Sequence, residues 1–241
     1  MKRLVVIGDL HGLSIWDDIV EVEGKECKYV FVGDYFDSFD IGYAEQMRNF
    51  RNILEFKDEM GDDCILLVGN HDYHYMGGID EQYSGYQFKY NLFIQGILKE
   101  ALVSGKLQMC YEDSRGYLIS HAGITNTWLR GVGYEGGNVC DYVNELFEYT
   151  PREFRFKMGE NDSYSGNDVT QGLLWVRPPS LEKDMVDGYI QVVGHTVEES
   201  IERYGDGRIF VIDTLWKGSN EEYLVIDDEG IHIERLRKNR Y

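Results

Sequence analysis

Ile65-Leu66-Leu67-Val68-Gly69-Asn70-His71-Asp72 runs an apolar segment directly into three polar side chains. Four consecutive apolar residues read as a buried strand, and Gly69 allows a sharp backbone turn at its carboxyl end. Asn70, His71 and Asp72 then lie on the loop beyond the strand, the edge where layered α/β sheets hold their sites. The same arrangement occurs twice upstream. Leu4-Val5-Val6-Ile7 leads into Gly8-Asp9-Leu10-His11-Gly12, and Tyr29-Val30-Phe31-Val32 leads into Gly33-Asp34-Tyr35-Phe36-Asp37. Two later segments end alike: Leu118-Ile119-Ser120-His121-Ala122-Gly123, and residues 190–193 before Gly194-His195-Thr196.

Helical spacing fills the gaps between these segments. Ser14 is placed to cap a short helix with Ile15, Trp16, Ile19 and Val20 on one face. Residues 44–60 carry Met47, Phe50, Ile53, Leu54 and Phe56 as an apolar stripe, and residues 87–103 carry Phe93, Ile97, Leu98 and Leu102. Alternating strand, helix and parallel strand predicts an α/β sheet. Residues 107–111 and 116–120 read as two strands around a turn at Glu112-Asp113-Ser114. A helical insertion with Val143, Leu146 and Phe147 falls within residues 131–172 and ends at Thr150-Pro151. Leu173-Leu174-Trp175-Val176 then places Arg177 at the end of an apolar stretch, where Pro178-Pro179 stop regular structure. Residues 209–212, 223–226 and 231–236 read as short strands, joined by turns at Gly218-Ser219-Asn220 and Asp227-Asp228-Glu229-Gly230. They predict a second sheet, hence two sheets packed face to face with helices outside. Between residues 73 and 90 lie Tyr73, Tyr75, Tyr83, Tyr86, Phe88 and Tyr90, with Gly77, Gly78 and Gly85. Packing of a long connection and a stacking wall for substrate are both open readings of that segment.

At 241 residues the chain is long enough to bury one substantial core, and a single domain over 1–241 is expected. A net charge of −19 argues against an extended face for nucleic acid or anionic lipid, because both need clustered Lys and Arg. Cys27, Cys64, Cys110 and Cys140 are widely spaced, and Cys64 and Cys110 read as buried thiols. The apolar run after Met1-Lys2-Arg3 is too short for a secretory signal, and no run approaches the ~20 residues that span a bilayer. The expected setting is the cytoplasm. Nothing in the sequence fixes the oligomeric state.

One Asp or His at a strand end is ordinarily a turn former, and a lone His such as His232 is ordinarily structural. Five such ends in order, supplying Asp9, His11, Asp34, Asn70, His121 and His195, are a pattern. Carboxylates, imidazoles and one amide oxygen make a mixed oxygen and nitrogen donor set that suits Mn, Fe or Zn better than Ca. The set is large enough for two ions sharing one carboxylate. Two metals about 3.5–4 Å apart lower the pKa of a bridging water and orient a phosphoryl group. His71 is left over, turned away from Asn70 by the alternation of an extended backbone. Paired with Asp37, it has the chemistry of a general acid for a leaving alkoxide.

These five motifs together resemble the calcineurin-like metallophosphoesterases, over nearly the whole chain. Leu173-Leu174-Trp175-Val176-Arg177 ahead of Val192-Val193-Gly194-His195-Thr196 is similar to the branch of phosphoprotein phosphatases and diadenosine tetraphosphatases. The resemblance implies a four-layer αββα sandwich of two mixed sheets. It implies Asp9, His11 and Asp34 on one metal and Asp34, Asn70, His121 and His195 on the other, with Asp34 bridging and Mn the leading ion. Where that branch has Asp-Arg-Gly, this chain has Asp37-Ser38-Phe39, so the phosphate clamp falls to Arg177 with Asn70. Where the branch has Glu after the catalytic His, this chain has Asp72. The expected substrate is a phosphomonoester of the protein Ser/Thr phosphatase type. A dinucleoside polyphosphate, with a base stacked on the tyrosine-rich loop, is the alternative. A catalytically silent scaffold is disfavoured by retention of all six ligands and His71.

Overall fold

Period-two burial sorts the first strand onto two cores at once. A computed structural model describes residues 1–76, 81–160, 164–216 and 220–236. In β1 (Leu4–Ile7), Val5 and Ile7 face one apolar cluster while Leu4 and Val6 face another, as a strand covered on both sides requires. There follow α1 (Ile15–Glu23), β2 (Lys28–Phe31), α2 (Tyr43–Met60), β3 (Cys64–Leu67), α3 (Asn70–Tyr73) and α4 (Asn91–Val103). Then come β4 (Leu107–Gln108), β5 (Cys110–Asp113), β6 (Tyr117–Ser120), α5 (Asn126–Gly131), α6 (Val139–Tyr149) and α7 (Pro178–Asp184). The chain closes with β7 (Ile190–Val197), β8 (Glu202–Tyr204), β9 (Ile209–Asp213), β10 (Glu222–Asp227) and β11 (Gly230–Arg235).

Among the described residues one sheet has the order β11-β10-β1-β2-β3-β4 and the other β5-β6-β7-β9-β8. In the first, β1 to β4 are parallel, β10 is antiparallel to β1 and β11 antiparallel to β10. Residues 223–226 and 231–236 therefore extend the first sheet through β1 instead of building the second, which only residues 209–212 join. In the second, β6, β7 and β9 are parallel between antiparallel edges. Leu4, Val6, Val30, Val32 and Leu67 of one sheet meet Ile119, Val192, Phe210 and Ile212 of the other. The outer face of the first sheet packs on Trp16, Ile19, Phe50, Ile53 and Leu98 from α1, α2 and α4. On the far side, Val193 and Val211 pack on Leu181 of α7. The layers are helix, sheet, sheet, helix: the expected αββα sandwich.

Several local expectations change. Ser14 occupies the N-cap of α1, but its side chain makes no capping bond; its carbonyl accepts from the Asp17 N–H at 3.0 Å. In α4 the buried stripe is Ile94, Leu98 and Ala101, at i, i+4 and i+7, which leaves Phe93 65% exposed. Residues 107–111 are not one strand. Gln108 still pairs in the first sheet and Cys110 already pairs in the second. Asn144 Oδ1 accepts the Met109 and Cys110 N–H groups at 2.8 and 3.2 Å, satisfying the backbone where it crosses. Leu173 to Trp175 form a turn rather than a strand. Pro178 opens α7 instead of ending structure, since the first helical position needs no N–H. Gly77, Gly78, Gly218 and Ser219 lie outside the described residues. All four cysteines are free and buried, and no described helix is long and apolar enough to cross a membrane.

Candidate active site

Six parallel strands, three from each sheet, end at one cleft of about 560 Å³. Asp9 follows β1, Asp34 follows β2, Asn70 and His71 follow β3, His121 follows β6, and Asp213 ends β9. His195 is placed differently from the sequence expectation. The strand does not stop at Val193 but continues to Val197, and His195 sits in the bulge where pairing with β9 shifts register. His11, Asp34, Asp37 and His195 hold φ values of 44°, 55°, 68° and 63°, four of the six positive-φ non-glycine residues among those described. Such backbone costs about 1–3 kcal/mol per residue, so its concentration at the candidate site is paired with strong local bracing.

Asp72 is the main brace. Its carboxylate accepts the Asp34, Tyr35 and Gly69 N–H groups at 2.8, 2.9 and 3.0 Å, tying the loop after β2 to the loop after β3. A Cβ at Gly69 would collide with Asp34 Oδ1, and one at Gly194 with Asp9 Oδ1, so glycine makes the cradle for each carboxylate. Asp72→Ala would orphan three buried donors at about 1–3 kcal/mol each. We expect it to lower unfolding free energy by about 3 kcal/mol or more, read from the urea midpoint at unchanged m-value.

Backbone carbonyls set the imidazoles. His11 Nδ1 lies 2.8 Å from Phe36 O and His121 Nδ1 lies 3.0 Å from Val32 O. Each Nδ1–H donates to its carbonyl, which leaves each Nε2 lone pair turned inward. Both Nε2 atoms stand 3.6 Å from Asp34 Oδ2. Asn70 Oδ1 stands 2.7 Å from His121 Nε2 and 3.0 Å from His195 Nδ1. His121 Nε2 and Asn70 Oδ1 thus meet as two acceptors, an arrangement that a shared cation relieves. Burial, outweighing Asp34, lowers the His11 pKa to about 4 and also lowers that of His121. Burial with His121 and Arg177 lowers that of His195. Neutral imidazole is the ligating form.

Charge makes the same case. Asp9, Asp34 and Asp213 are all at most 2% exposed. Burial, Asp213 and Asp34 push the Asp9 carboxyl well up, whereas for Asp34 burial is overcome by His121, His71 and His11. Crowded buried carboxylates call for positive charge. Ligand atoms of Asp9, Asp34 and His121 lie within 4.8 Å of one another. The donors present therefore fit divalent metal.

Arg177 lines the cleft as well. Its Nε donates to Ser165 O at 3.0 Å, and its Nη1 to His195 O and Thr196 Oγ1 at 3.3 and 3.2 Å. His71 belongs to a helical turn, not to extended backbone, so rotation about α3 rather than alternation directs it away from Asn70. Its Nδ1 lies 3.0 Å from Asp37 Oδ2, which leaves Nε2 for the cleft. Burial opposes its charge, but Asp34 and Asp37 push its pKa up to about 9. Asp37 and His121 are fully buried behind the cleft lining. The sequence reading missed Asp213, although residues 209–212 run into it as residues 4–7 run into Asp9. It also missed His74 and Trp216, for which no local pattern points to the cleft. His232, as expected, is away from the site, with Nε2 3.0 Å from Asp227 Oδ1.

The calcineurin-like phosphoesterase family model matches residues 2–217. Among curated protein sequences none matches significantly. Among solved structures, a cold-active protein-tyrosine phosphatase of a psychrophilic Shewanella species shares 18% identity at TM-score 0.65, with 98% of this chain and 81% of that one covered. A protein serine/threonine phosphatase from Saccharomyces cerevisiae shares 14% at TM-score 0.64, covering 100% and 81%. One described as a putative diadenosine tetraphosphatase shares 14% at TM-score 0.54, covering 99% and 95%. At these identities the structural likenesses speak for the fold, whereas the family match spans most of the chain: the protein belongs to the calcineurin-like phosphoesterases and is a metal-dependent phosphoester hydrolase.

Proposed function

We propose that residues 1–241 form one catalytic domain that hydrolyses phosphomonoesters of the protein Ser/Thr phosphatase type at two cations. Asp9, His11 and Asp34 hold one cation; Asp34, Asn70, His121 and His195 hold the other. The observation that carries this reading is the position of Asp34 Oδ2, 3.6 Å from Nε2 of both His11 and His121. One carboxylate oxygen is thereby shared between two donor groups. Two divalent cations, Mn first and Fe or Zn next for this donor set, supply an acidified water as nucleophile and neutralise phosphoryl charge. Arg177 and Asn70 orient the phosphoryl oxygens. His71, charged and held by Asp37, delivers its Nε2 proton to the leaving alkoxide. Four buried free thiols suit a reducing, cytoplasmic setting.

A second reading, hydrolysis of a dinucleoside polyphosphate, is favoured by the Tyr83, Phe156, Trp175 and Trp216 side chains that line the cleft and offer stacking faces for a base. Product analysis on a phosphoserine peptide and on diadenosine tetraphosphate, with Mn-loaded protein, separates the two. Faster turnover of the peptide is expected; the reverse order would replace the first reading by the second.

Ser38 stands where the resembling branch has an arginine, which leaves Arg177 as the guanidinium of the clamp. Arg177→Ala should raise KM and lower kcat, with kcat/KM falling at least ~30-fold, about 2 kcal/mol. Arg177→Lys should recover only part, because an ammonium restores charge without the planar fork. Steady-state kinetics within about threefold of wild type for Arg177→Ala, under ~1 kcal/mol, would leave the residue merely the end of an apolar stretch before Pro178-Pro179.

A further inference from the structure

Asp37 holds a second imidazole besides that of His71. His74 is fully buried, and its Nε2 lies 2.6 Å from the same oxygen, Asp37 Oδ2, that receives His71 Nδ1 at 3.0 Å. The contact is short, yet Nε2 makes no hydrogen bond of ordinary geometry, so the ring is held edge-on against the carboxylate by its surroundings. On the other side of the ring, His74 Nδ1 accepts the backbone N–H of Tyr83 at 3.1 Å. That bond fixes the tautomer: Nδ1 keeps its lone pair, so the proton sits on Nε2, against Asp37.

Ligand atoms of Asp37, His71 and His74 lie within 4.8 Å of one another, so the cluster has the composition of a metal site. The tautomer argues against one. A metal on His74 Nε2 requires Nδ1–H, which would face the Tyr83 N–H donor to donor. The ring is also locked mechanically. Tyr83 stacks on it at 5.4 Å and 10°, and Tyr75 and Tyr86 stand edge-on at 4.4 and 4.9 Å. Tyr75 donates its hydroxyl to Asp37 Oδ1 at 2.5 Å, and Gln87 Nε2 approaches that oxygen at 3.4 Å. The tyrosine-rich segment therefore boxes His74 and pins Oδ1 of Asp37, which leaves Oδ2 to the two imidazoles.

We propose that His74 is a positioning residue, whose ring, locked among Tyr75, Tyr83 and Tyr86 with Nε2 set against Asp37 Oδ2, holds that carboxylate so that His71 presents its own Nε2 proton to the leaving group. This rests on the general-acid role assigned to His71 above. His74 faces Asp37 rather than the cleft, so the imidazole edge open to the leaving group is that of His71. Removing His74 lets the Asp37 carboxylate turn, and His71 loses its aim.

The test uses Mn-loaded full-length protein with a phosphoserine peptide and p-nitrophenyl phosphate, whose leaving group needs little protonation. His74→Asn, too short to reach both Tyr83 and Asp37, should lower peptide kcat about tenfold while p-nitrophenyl phosphate turnover stays within about twofold and metal content is unchanged. His74→Gln, which can accept from Tyr83 and donate to Asp37, should recover most of the peptide activity. In a His71→Asn background, His74→Asn should add no further loss. Equal losses on both substrates, or none, would overturn the role of His74 if His71→Asn by itself remains selective for the peptide. An unselective His71→Asn would overturn the general-acid reading and this inference together. Independently of any variant, ¹⁵N NMR of Zn-loaded wild type should show His74 as the Nε2–H tautomer; an Nδ1–H or doubly protonated ring contradicts the role.

Discussion

Asp34→Asn is expected to lose at least one cation per chain and to lower turnover by at least ~10³-fold, about 4 kcal/mol of barrier. The reason is local. Asp34 Oδ2 serves both inward-facing imidazoles, so the amide removes one negative charge from two donor groups at once. Folding should survive, because Asp34 Oδ1 accepts the His71 N–H at 2.8 Å and an amide oxygen accepts that bond equally. The backbone N–H of Asp34 still reaches Asp72. Metal analysis after dialysis, read with the thermal unfolding midpoint, checks this. Two cations per chain and near-normal turnover in Asp34→Asn would make the residue a turn former only.

His71→Asn is expected to keep both cations and to lower turnover of a phosphoserine peptide by about 10²–10³-fold, the usual worth of a general acid. On p-nitrophenyl phosphate the loss should be under about tenfold, because nitrophenolate departs without a proton. Asp37→Asn should follow the same pattern more weakly, since the Nδ1 partner at 3.0 Å becomes neutral while His71 stays in place. Equal losses on the two substrates would remove the proton-transfer role from His71.

Both expectations rest on features the sequence discloses unevenly. Asp9, Asp34, Asn70 and His121 were legible because each follows an apolar run of strand length, and period-two burial leaves such a run few alternatives in this fold. His195 was legible as a polar residue at the end of an apolar run but not as a bulge facing the cleft, since a register shift depends on the neighbouring β9 rather than on the residues of β7. Asp213 repeats the strand-to-carboxylate pattern, and reading it required only applying that pattern once more. His74 is different. Its partners Asp37 and Tyr83 lie 37 residues before and 9 after it, so its role arises from packing between loops. The split of residues 107–111 between two sheets likewise depends on Asn144, a side chain on α6 that no local pattern links to it.

Mn²⁺ titration of metal-free protein followed by electron paramagnetic resonance tests the shared carboxylate most directly, because ions about 3.5–4 Å apart and bridged by one ligand couple magnetically. Wild type is expected to saturate at two Mn²⁺ per chain with an exchange-coupled spectrum, and Asp34→Asn to lose the coupling. Saturation at one ion per chain, or two ions with the spectrum of isolated Mn²⁺, would contradict a site built around Asp34.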